Sequence, residues 1–428
     1  MKNRLKTARE LDRDDELGGF RKQFIIPLHR DGQEQIYLCG HSLGLQAKAV
    51  ESAVSDELRA WRQRAVSGHF TGDPAWMDYD AYLRKPLARL VGADPEDVVV
   101  MNTLTVNLHL LMVSFYRPEA KRHKILIEKH AFPSDRYAVE SQIRFHGLDP
   151  ADCLVELEPD PSSGLIDEGV VEDYLHRNGD EVALILWPGI QYASGQFFDL
   201  GRIATAGRTA GASVGFDLAH AIGNVPLALS ETDCDFAVWC NYKYLSGGPG
   251  AVAACYVNRR HSGSRSLPRF EGWWGNSRTS RFLMESRFDP ADGAEAWCLS
   301  NPPILAMAPL KASLGLFEEA GMDRLRQKSI AMSEFLLQGI QADLGDHIAV
   351  ITPENPERRG CQLSLRVRAG RDAGRRLFEF LEAHGVIADW REPDIIRVAP
   401  VPLYNRFEDC AKLILHMREG LGNGAAGS

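Results

Sequence analysis

The chain has no run of about 18 apolar residues, so the sequence offers no candidate membrane span. It also lacks an excess of basic charge: 49 Lys and Arg stand against 58 Asp and Glu, a formal net charge of −9. A nucleic-acid surface normally needs a basic face, so that class is set aside. The eight cysteines (Cys39, Cys153, Cys234, Cys240, Cys255, Cys298, Cys361 and Cys410) include no CxxC pair, which leaves a metal site without support. No GxGxxG follows an early strand, and this counts against a nicotinamide-dependent dehydrogenase. The opening MKNRLKTARELDRDDELGGF has no apolar core and does not read as a secretory signal. Dispersed cysteines without such a signal point to reduced thiols in a cytoplasmic protein. Repeats and low-complexity linkers are missing too; only the tail GLGNGAAGS reads as frayed.

What is present is an ordinary globular composition, 44% apolar and 25% charged over 428 residues, long enough for two or three domains' worth of core. Residues 5–20 read as an exposed charged helix, IYLCGHSLGLQ as a short strand entering a turn, and AKAVESAVSDELRAWRQRA as a helix. YDAYLRKPLARLVGADPEDVVVMN reads as helix, turn and strand. From there KILIEK, CLVELEP, EVALILWPG, VGFDLAH, DFAVWC and AVAACYVN are strand-length apolar runs, the earlier ones alternating with helical patterns. That pattern predicts an α/β domain on a largely parallel sheet. NPPILAMAPLKASLGLFEEAGMDRLRQKSIAMSEFLLQGI reads as one long helix, or two. The strands CQLSLRV, GVIADWRE and IIRVAP then surround the helix AGRRLFEFLEAHG, an appended α+β unit. The division expected is an N-terminal segment, 1–65, contributing to a small domain, a large domain, 66–305, and a C-terminal small domain, 306–428. The cleft between the two domains is the expected ligand site.

The chemistry concentrates in VGFDLAHAIGNVPLALSETDCDFAVWCNYKYLSGGPG, residues 214–250. One apolar run delivers Asp217 and His220 at its end; a second delivers Asn241, Tyr242 and Lys243. Most lysines are solvated, but this one follows a buried-type strand and precedes a glycine-rich turn. Desolvation makes an amine less basic, and a neutral amine attacks an aldehyde, as pyridoxal 5′-phosphate chemistry requires. An acid such as Asp217 can keep the cofactor's ring nitrogen protonated, though acids at strand ends also serve as turn residues. Phosphate needs backbone N–H groups and hydroxyls at a helix start. Leu104 and Thr105 provide them, with Thr103 an alternative and simple capping the plain structural role. In AFPSD, Phe132 can stack on a flat ring, while Ser134 and Asp135 can cap the next helix and no more.

Segments spread over nearly the whole chain carry a resemblance. LCGHSLGL, GHFTGDPAW, TLTVNLHLL, AFPSD, WPGIQYASGQ, GFDLAHAIGNV, WCNYKYLSGGPG, GWWG, SNPPIL and IIRVAPVPLYN stand in the order found in the kynureninase family, which the chain resembles. The resemblance implies pyridoxal-phosphate fold type I: a large domain with a mainly parallel, seven-stranded sheet flanked by helices, plus a smaller α+β domain. It implies hydrolysis of L-kynurenine, or its 3-hydroxy form, to L-alanine and anthranilate or 3-hydroxyanthranilate, in catabolism or in pyridine nucleotide synthesis. By position, Lys243 would bind the cofactor and later shuttle the α-proton, and Asp217 would pair with the ring nitrogen. Phe132 would stack on the ring, with Pro133, Ser134 and Asp135 beside it. Leu104, Thr105 and Tyr242 would hold the phosphate region, with His220 nearby. Trp273 and Asn301 match positions used for cofactor or substrate and can come from the partner in a homodimer. Arg397 would grip the substrate α-carboxylate bidentately, and His69 and Asn301 would lie near the aromatic amine. Tyr242 is the candidate acid–base group.

Two departures matter. Asn276 stands where some family members that prefer the 3-hydroxy substrate have histidine, which favours plain L-kynurenine here. WPGIQY has Pro188 where some relatives have serine, removing one polar contact. The rivals are an aminotransferase or cysteine desulfurase of the same fold, and a non-catalytic scaffold.

Overall fold

The computed structural model describes residues 2–425. A short strand, β1 (Ile36–Tyr37), lies in the N-terminal segment. The next seven are β2 (Val98–Val100), β3 (Lys124–Glu128), β4 (Leu154–Leu157), β5 (Val182–Pro188), β6 (Ser213–Asp217), β7 (Phe236–Trp239) and β8 (Ala254–Val257). They form one sheet in the order β2-β8-β7-β6-β5-β3-β4. Pairing is parallel from β4 through β7 and antiparallel only on the two sides of β8.

The strands are continuous apolar runs because both faces of this sheet are covered. Along β5, Ile185 and Trp187 enter one hydrophobic core while Leu184 and Leu186 enter the other. In β7, Ala237 and Trp239 join the first core, Phe236 and Val238 the second. Gly215 makes room for this: a Cβ there would overlap the Phe236 ring. The parallel strands β3, β5 and β6 end in Glu128, Pro188 and Asp217, so side chains of different chemistry leave the sheet at one carboxyl edge, where α/β sheets bind ligands.

The smaller unit contains β9 (Ile348–Val350), β10 (Leu363–Val367), β11 (Val386–Ile387), β12 (Asp389–Arg391) and β13 (Ile395–Val398). Four of them form an antiparallel sheet, β12-β13-β10-β9, and β11 pairs in parallel with β1. Its core joins Leu336, Ile340, Leu377, Leu381 and Met417 to Ala8, Ile36 and Leu38 from the N-terminal segment. The helix Lys2–Arg13 also caps the helix Phe407–Ala425: Asp12 accepts hydrogen bonds from the N–H groups of Phe407 (2.6 Å) and Glu408 (2.9 Å).

Boundaries differ from the sequence reading at the two ends of the chain, and one open choice between them is resolved. The first charged helix ends at Arg13, before the glycine pair that opens the turn Gly18–Gln23. The long segment after residue 300 is two helices, Ile304–Ala320 and Met322–Leu344, separated by Gly321 at φ 76°. The first of these gives Met307, Leu310, Leu314 and Phe317 to the large core, and the helix Ala49–Arg64 lies along it. The tail expected to fray continues as helix to Ala425, with Leu421 packed against the small core; residues 426–428 lie outside the described residues.

Candidate active site

Lys243 is positioned through its backbone. Asn241, at the exit of β7, donates to the Val252 carbonyl (2.7 Å), while its own carbonyl accepts from Gly247 N (2.8 Å). The Lys243 carbonyl accepts from Ser246 N (2.9 Å), and Gly44 N donates to the Tyr242 carbonyl (2.8 Å). Gly44 must be glycine, because a Cβ there would overlap Lys243 O and Ser246 Oγ. The lysine side chain, half-buried, reaches into a cleft with about 570 Å³ of empty space.

In the cleft Lys243 Nζ donates to His220 Nε2 at 2.9 Å and stands 5.8 Å from the centre of the Phe132 ring. Burial, with the Lys243 charge adding to it, holds the His220 imidazole well below its ordinary range. The ring is therefore neutral, its Nε2 accepting and its buried Nδ1 left without a partner. Asp217 is buried and its Oδ1 accepts from Ala219 N (2.7 Å). Beside it, burial followed by the charge of Asp217 pushes the Asp135 carboxyl far up. Glu128 is pushed up in the same way, by burial first.

The far end of the cleft meets two helix starts. Thr103 precedes the helix Leu104–Phe115 and Phe132 precedes Pro133–Phe145, and neither flanking side chain caps its helix. The Thr105 and Ser134 hydroxyls touch at 2.7 Å between them. Two uncapped helix starts and two hydroxyls make an anion cradle. A ring carrying a phosphate at one end and a nitrogen at the other fits this floor, which leaves Asp135 Oδ1 and His220 Nδ1 unpartnered.

Of the residues singled out from the sequence, Leu104, Thr105, Phe132, Ser134, Asp135, Asp217, His220, Tyr242 and Lys243 line this one cleft. Pro133 is the first residue of its helix, next to the lining. His69, Trp273 and Asn301 are not brought there. His69 meets Trp76 edge-on (5.3 Å), Trp273 Nε1 donates to the Arg281 carbonyl (2.8 Å), and Asn301 lies in a separate hollow with Asp80 and Trp274. Asn276 is buried, its Oδ1 accepting from Asp289 N (2.8 Å). Arg397 is buried, and the edge expected to face a carboxylate is engaged within the chain: it pairs with Asp389 (2.9 Å) and donates to the Tyr192 carbonyl (2.8 Å).

Sequence reasoning missed Glu128, Ile190, Tyr192 and Ala219 as lining residues. Glu128 carried a usable signal, an acid ending an apolar strand. Tyr192, which meets Phe132 edge-on at 5.2 Å, carried none. Pro188, noted as a departure, does line the cleft.

Comparison with known proteins bears on what this cleft is. The family model described as the kynureninase C-terminal domain matches residues 325–417. Kynureninase from Stenotrophomonas maltophilia (strain K279a) is 55% identical over 399 residues, 93% of this chain and 94% of that protein. The chain belongs to the kynureninase family. Solved structures extend the likeness at the level of fold. An apo cysteine desulfurase from Thermococcus onnurineus NA1 superposes with TM-score 0.76 at 17% identity, covering 95% of this chain and 98% of that one. A variant of the protein C-DES with glycine covalently linked to its pyridoxal phosphate cofactor gives 0.75 at 18%, covering 93% and 98%. For a kynureninase-family chain the cleft thus sits where the fold places its chemistry, at the carboxyl edge of the seven-stranded sheet.

Proposed function

We propose that this chain hydrolyses the Cβ–Cγ bond of L-kynurenine, giving anthranilate and L-alanine, with pyridoxal phosphate held in the Lys243 cleft. Kynureninases are pyridoxal-phosphate-dependent hydrolases of carbon–carbon bonds, and the family membership gives the reaction class. The observation that carries the assignment of the site is the convergence of an amine, two neighbouring buried acids, an aromatic face and two uncapped helix starts in one cleft.

Lys243 Nζ would hold the cofactor aldehyde, Asp217, with Asp135 beside it, would pair with the ring nitrogen, and Phe132 would stack on the ring. Thr105, Ser134 and the two helix starts would receive the phosphate. Bound there, the cofactor supplies an electron-accepting ring conjugated to the substrate amine. Lys243 Nζ takes and returns the α-proton. Neutral His220 accepts a hydrogen bond at Nε2 and adds no charge of its own. Burial pushes the Tyr242 phenol above its usual range, so its hydroxyl stays protonated and serves first as a donor near the reacting carbonyl. Arg397 receives the substrate carboxylate.

The site is completed by a second copy of the chain. His69, Phe70, Phe282 and Trp273 form a continuous line of aromatic contacts, at 6.3, 6.5 and 5.3 Å. Phe70, Phe282, Leu283 and Met284 in this region are half to three-quarters exposed. A surface of that kind belongs in an interface, and it carries the substrate-side residues that the Lys243 cleft lacks. The large domain, 66–305, acts as the cofactor platform, and 306–428 with the N-terminal segment 1–65 encloses the substrate. Asn276, in place of histidine, favours L-kynurenine over its 3-hydroxy form, and eight free thiols fit the reducing cytoplasm.

The desulfurase reading lacks its nucleophile: seven of the eight cysteines are buried, and burial pushes the remaining thiol, Cys39, up to about 11. The deciding assay is turnover of both kynurenines by the purified holoenzyme, following alanine and anthranilate against keto acid. Inactivity on both substrates, or keto acid as product, overturns the proposal.

A further inference from the structure

Beside the Lys243 cleft lies a cluster of charge that the reaction leaves partly unused. Asp389 on β12 stands opposite Arg397 on β13, and Arg391 follows two residues later on the same strand face. Asp389 Oδ1 lies 2.9 Å from Arg397 Nη2 and 2.9 Å from Arg391 Nε. Its Oδ2 accepts from Ser42 Oγ (2.6 Å) and Arg391 Nη2 (3.0 Å). His41 and Cys39 complete the surroundings and add no charge: burial holds the imidazole neutral and the thiol protonated. Two guanidiniums thus share one carboxylate, with the Arg397 side chain 1% exposed, that of Asp389 11% and that of Arg391 37%. The three side chains carry one positive charge in excess; Arg391 reaches solvent, so the buried Arg397 is the guanidinium that gains by taking an anion. Without Arg391, Asp389 alone would neutralise Arg397.

We infer that Arg391 is a positioning residue for the substrate: by taking up the charge of Asp389 it leaves that of Arg397 to a carboxylate ligand. This rests on the assignment of Arg397 to the substrate carboxylate made above. Asp389 then has two tasks, fixing the plane of the Arg397 guanidinium and acting as an internal competitor that Arg391 holds in check. The ligand selected is a monoanionic carboxylate, and an amino acid presents one with its amine directed to the Lys243 cleft.

The test uses the full-length holoenzyme and calorimetry with 4-oxo-4-phenylbutanoate, an aryl keto acid that lacks the amine and so reads carboxylate capture alone. Arg391→Gln should weaken its binding and raise the kynurenine KM by about tenfold or more, with kcat within about twofold. Arg391→Lys should stay near wild type. The double variant Asp389→Asn with Arg391→Gln removes one charge of each sign and should recover binding to within about threefold of wild type, a rescue that a merely structural role would not produce. Unchanged binding in Arg391→Gln, or a double variant as weak as the single, overturns the inference. Should Arg391→Gln fail to fold, Asp389→Asn decides: it should bind the keto acid at least as tightly as wild type, and weaker binding overturns the inference. A wild-type enzyme that turns over kynurenine while Arg391→Gln binds normally sinks this inference alone. A wild-type enzyme inert on both kynurenines sinks the proposed function whatever the calorimetry shows.

Discussion

Around Lys243, the polar groups are enclosed by strand ends and helix starts of a single chain, whereas around Trp273 aromatic rings stand half in solvent. The first region buries polar groups: Asp217, Asp135, Glu128 and His220 are each more than nine-tenths covered, and burial pushes the Asp135 and Glu128 carboxyls up and the His220 imidazole down. The second is tied down from behind, by an ion network in which Glu295 binds Arg84 (3.1 Å), Arg278 (3.0 Å) and Arg281 (2.9 Å). That network anchors the loop from within, while Phe282, Leu283 and Met284 leave its outer face apolar and open. On the proposed function, the contrast would separate a cofactor floor that one chain builds alone from a substrate wall that one chain only presents.

The largest effect that would sharpen this contrast is loss of the amine. Lys243→Ala should lower turnover by on the order of 10³-fold or more and remove the borohydride-sensitive absorbance of the holoenzyme, read by spectrophotometry. Next comes the shared wall. Lys243→Ala and Asn301→Ala subunits, each inactive alone, should regain about a quarter of wild-type activity on equal mixing, since random pairing restores about one native site in four. No recovery after confirmed subunit exchange would confine the site to one chain. A smaller effect concerns the phosphate cradle: Thr105→Ala and Ser134→Ala should each weaken cofactor binding by about tenfold, as expected for a hydrogen bond to a charged group, measured by fluorescence titration of the apoenzyme.

The smallest is a pH effect. His41 and His220 are held neutral by burial, below their usual value of 6.5. The unfolded chain takes up protons that these folded rings refuse. Their contribution is therefore intact above about pH 6.5 and is lost as the pH falls below it. Asp135 and Glu128, pushed upward, run the opposite way, so the comparison must be one in which they cancel. His41→Asn should flatten the fall in apoenzyme stability between pH 7 and 5 by up to about 1.4 kcal/mol per pH unit, read by urea unfolding. Parallel curves for variant and wild type would refute it.

The central strands of the large sheet were legible because they are nearly continuous apolar runs, which a doubly covered parallel sheet requires; the edge strand β4, interrupted by Glu156, is only partly buried. Strand exits were legible for the same reason: Asp217, Asn241 and Lys243 are the first polar residues after such runs. What stayed hidden depends on pairing across the chain. Asp389 sits in a mixed stretch, ADWRE, whose pattern says nothing of the arginine opposite it; only the β12–β13 register brings Asp389 and Arg397 together. His41 gave no sign that both its ring nitrogens would be buried without partners. The position of His69 away from Lys243 was equally unreadable, since a motif gives the order of residues along the chain and not their places in space; for Trp273 and Asn301 the family resemblance had already allowed a place on a partner subunit.

The contact of Gly44 with the Lys243 turn has a consequence in time. The turn carrying the amine is closed from outside by a loop near the beginning of the chain, through the bond from Gly44 N to the Tyr242 carbonyl. During synthesis that early loop waits until most of the large domain has emerged before it has anything to bind. On refolding, a closure between such distant segments comes late, after the local helices. Helical content should therefore return before cofactor capture does, and the amine is kept out of its reactive setting until the molecule around it is complete.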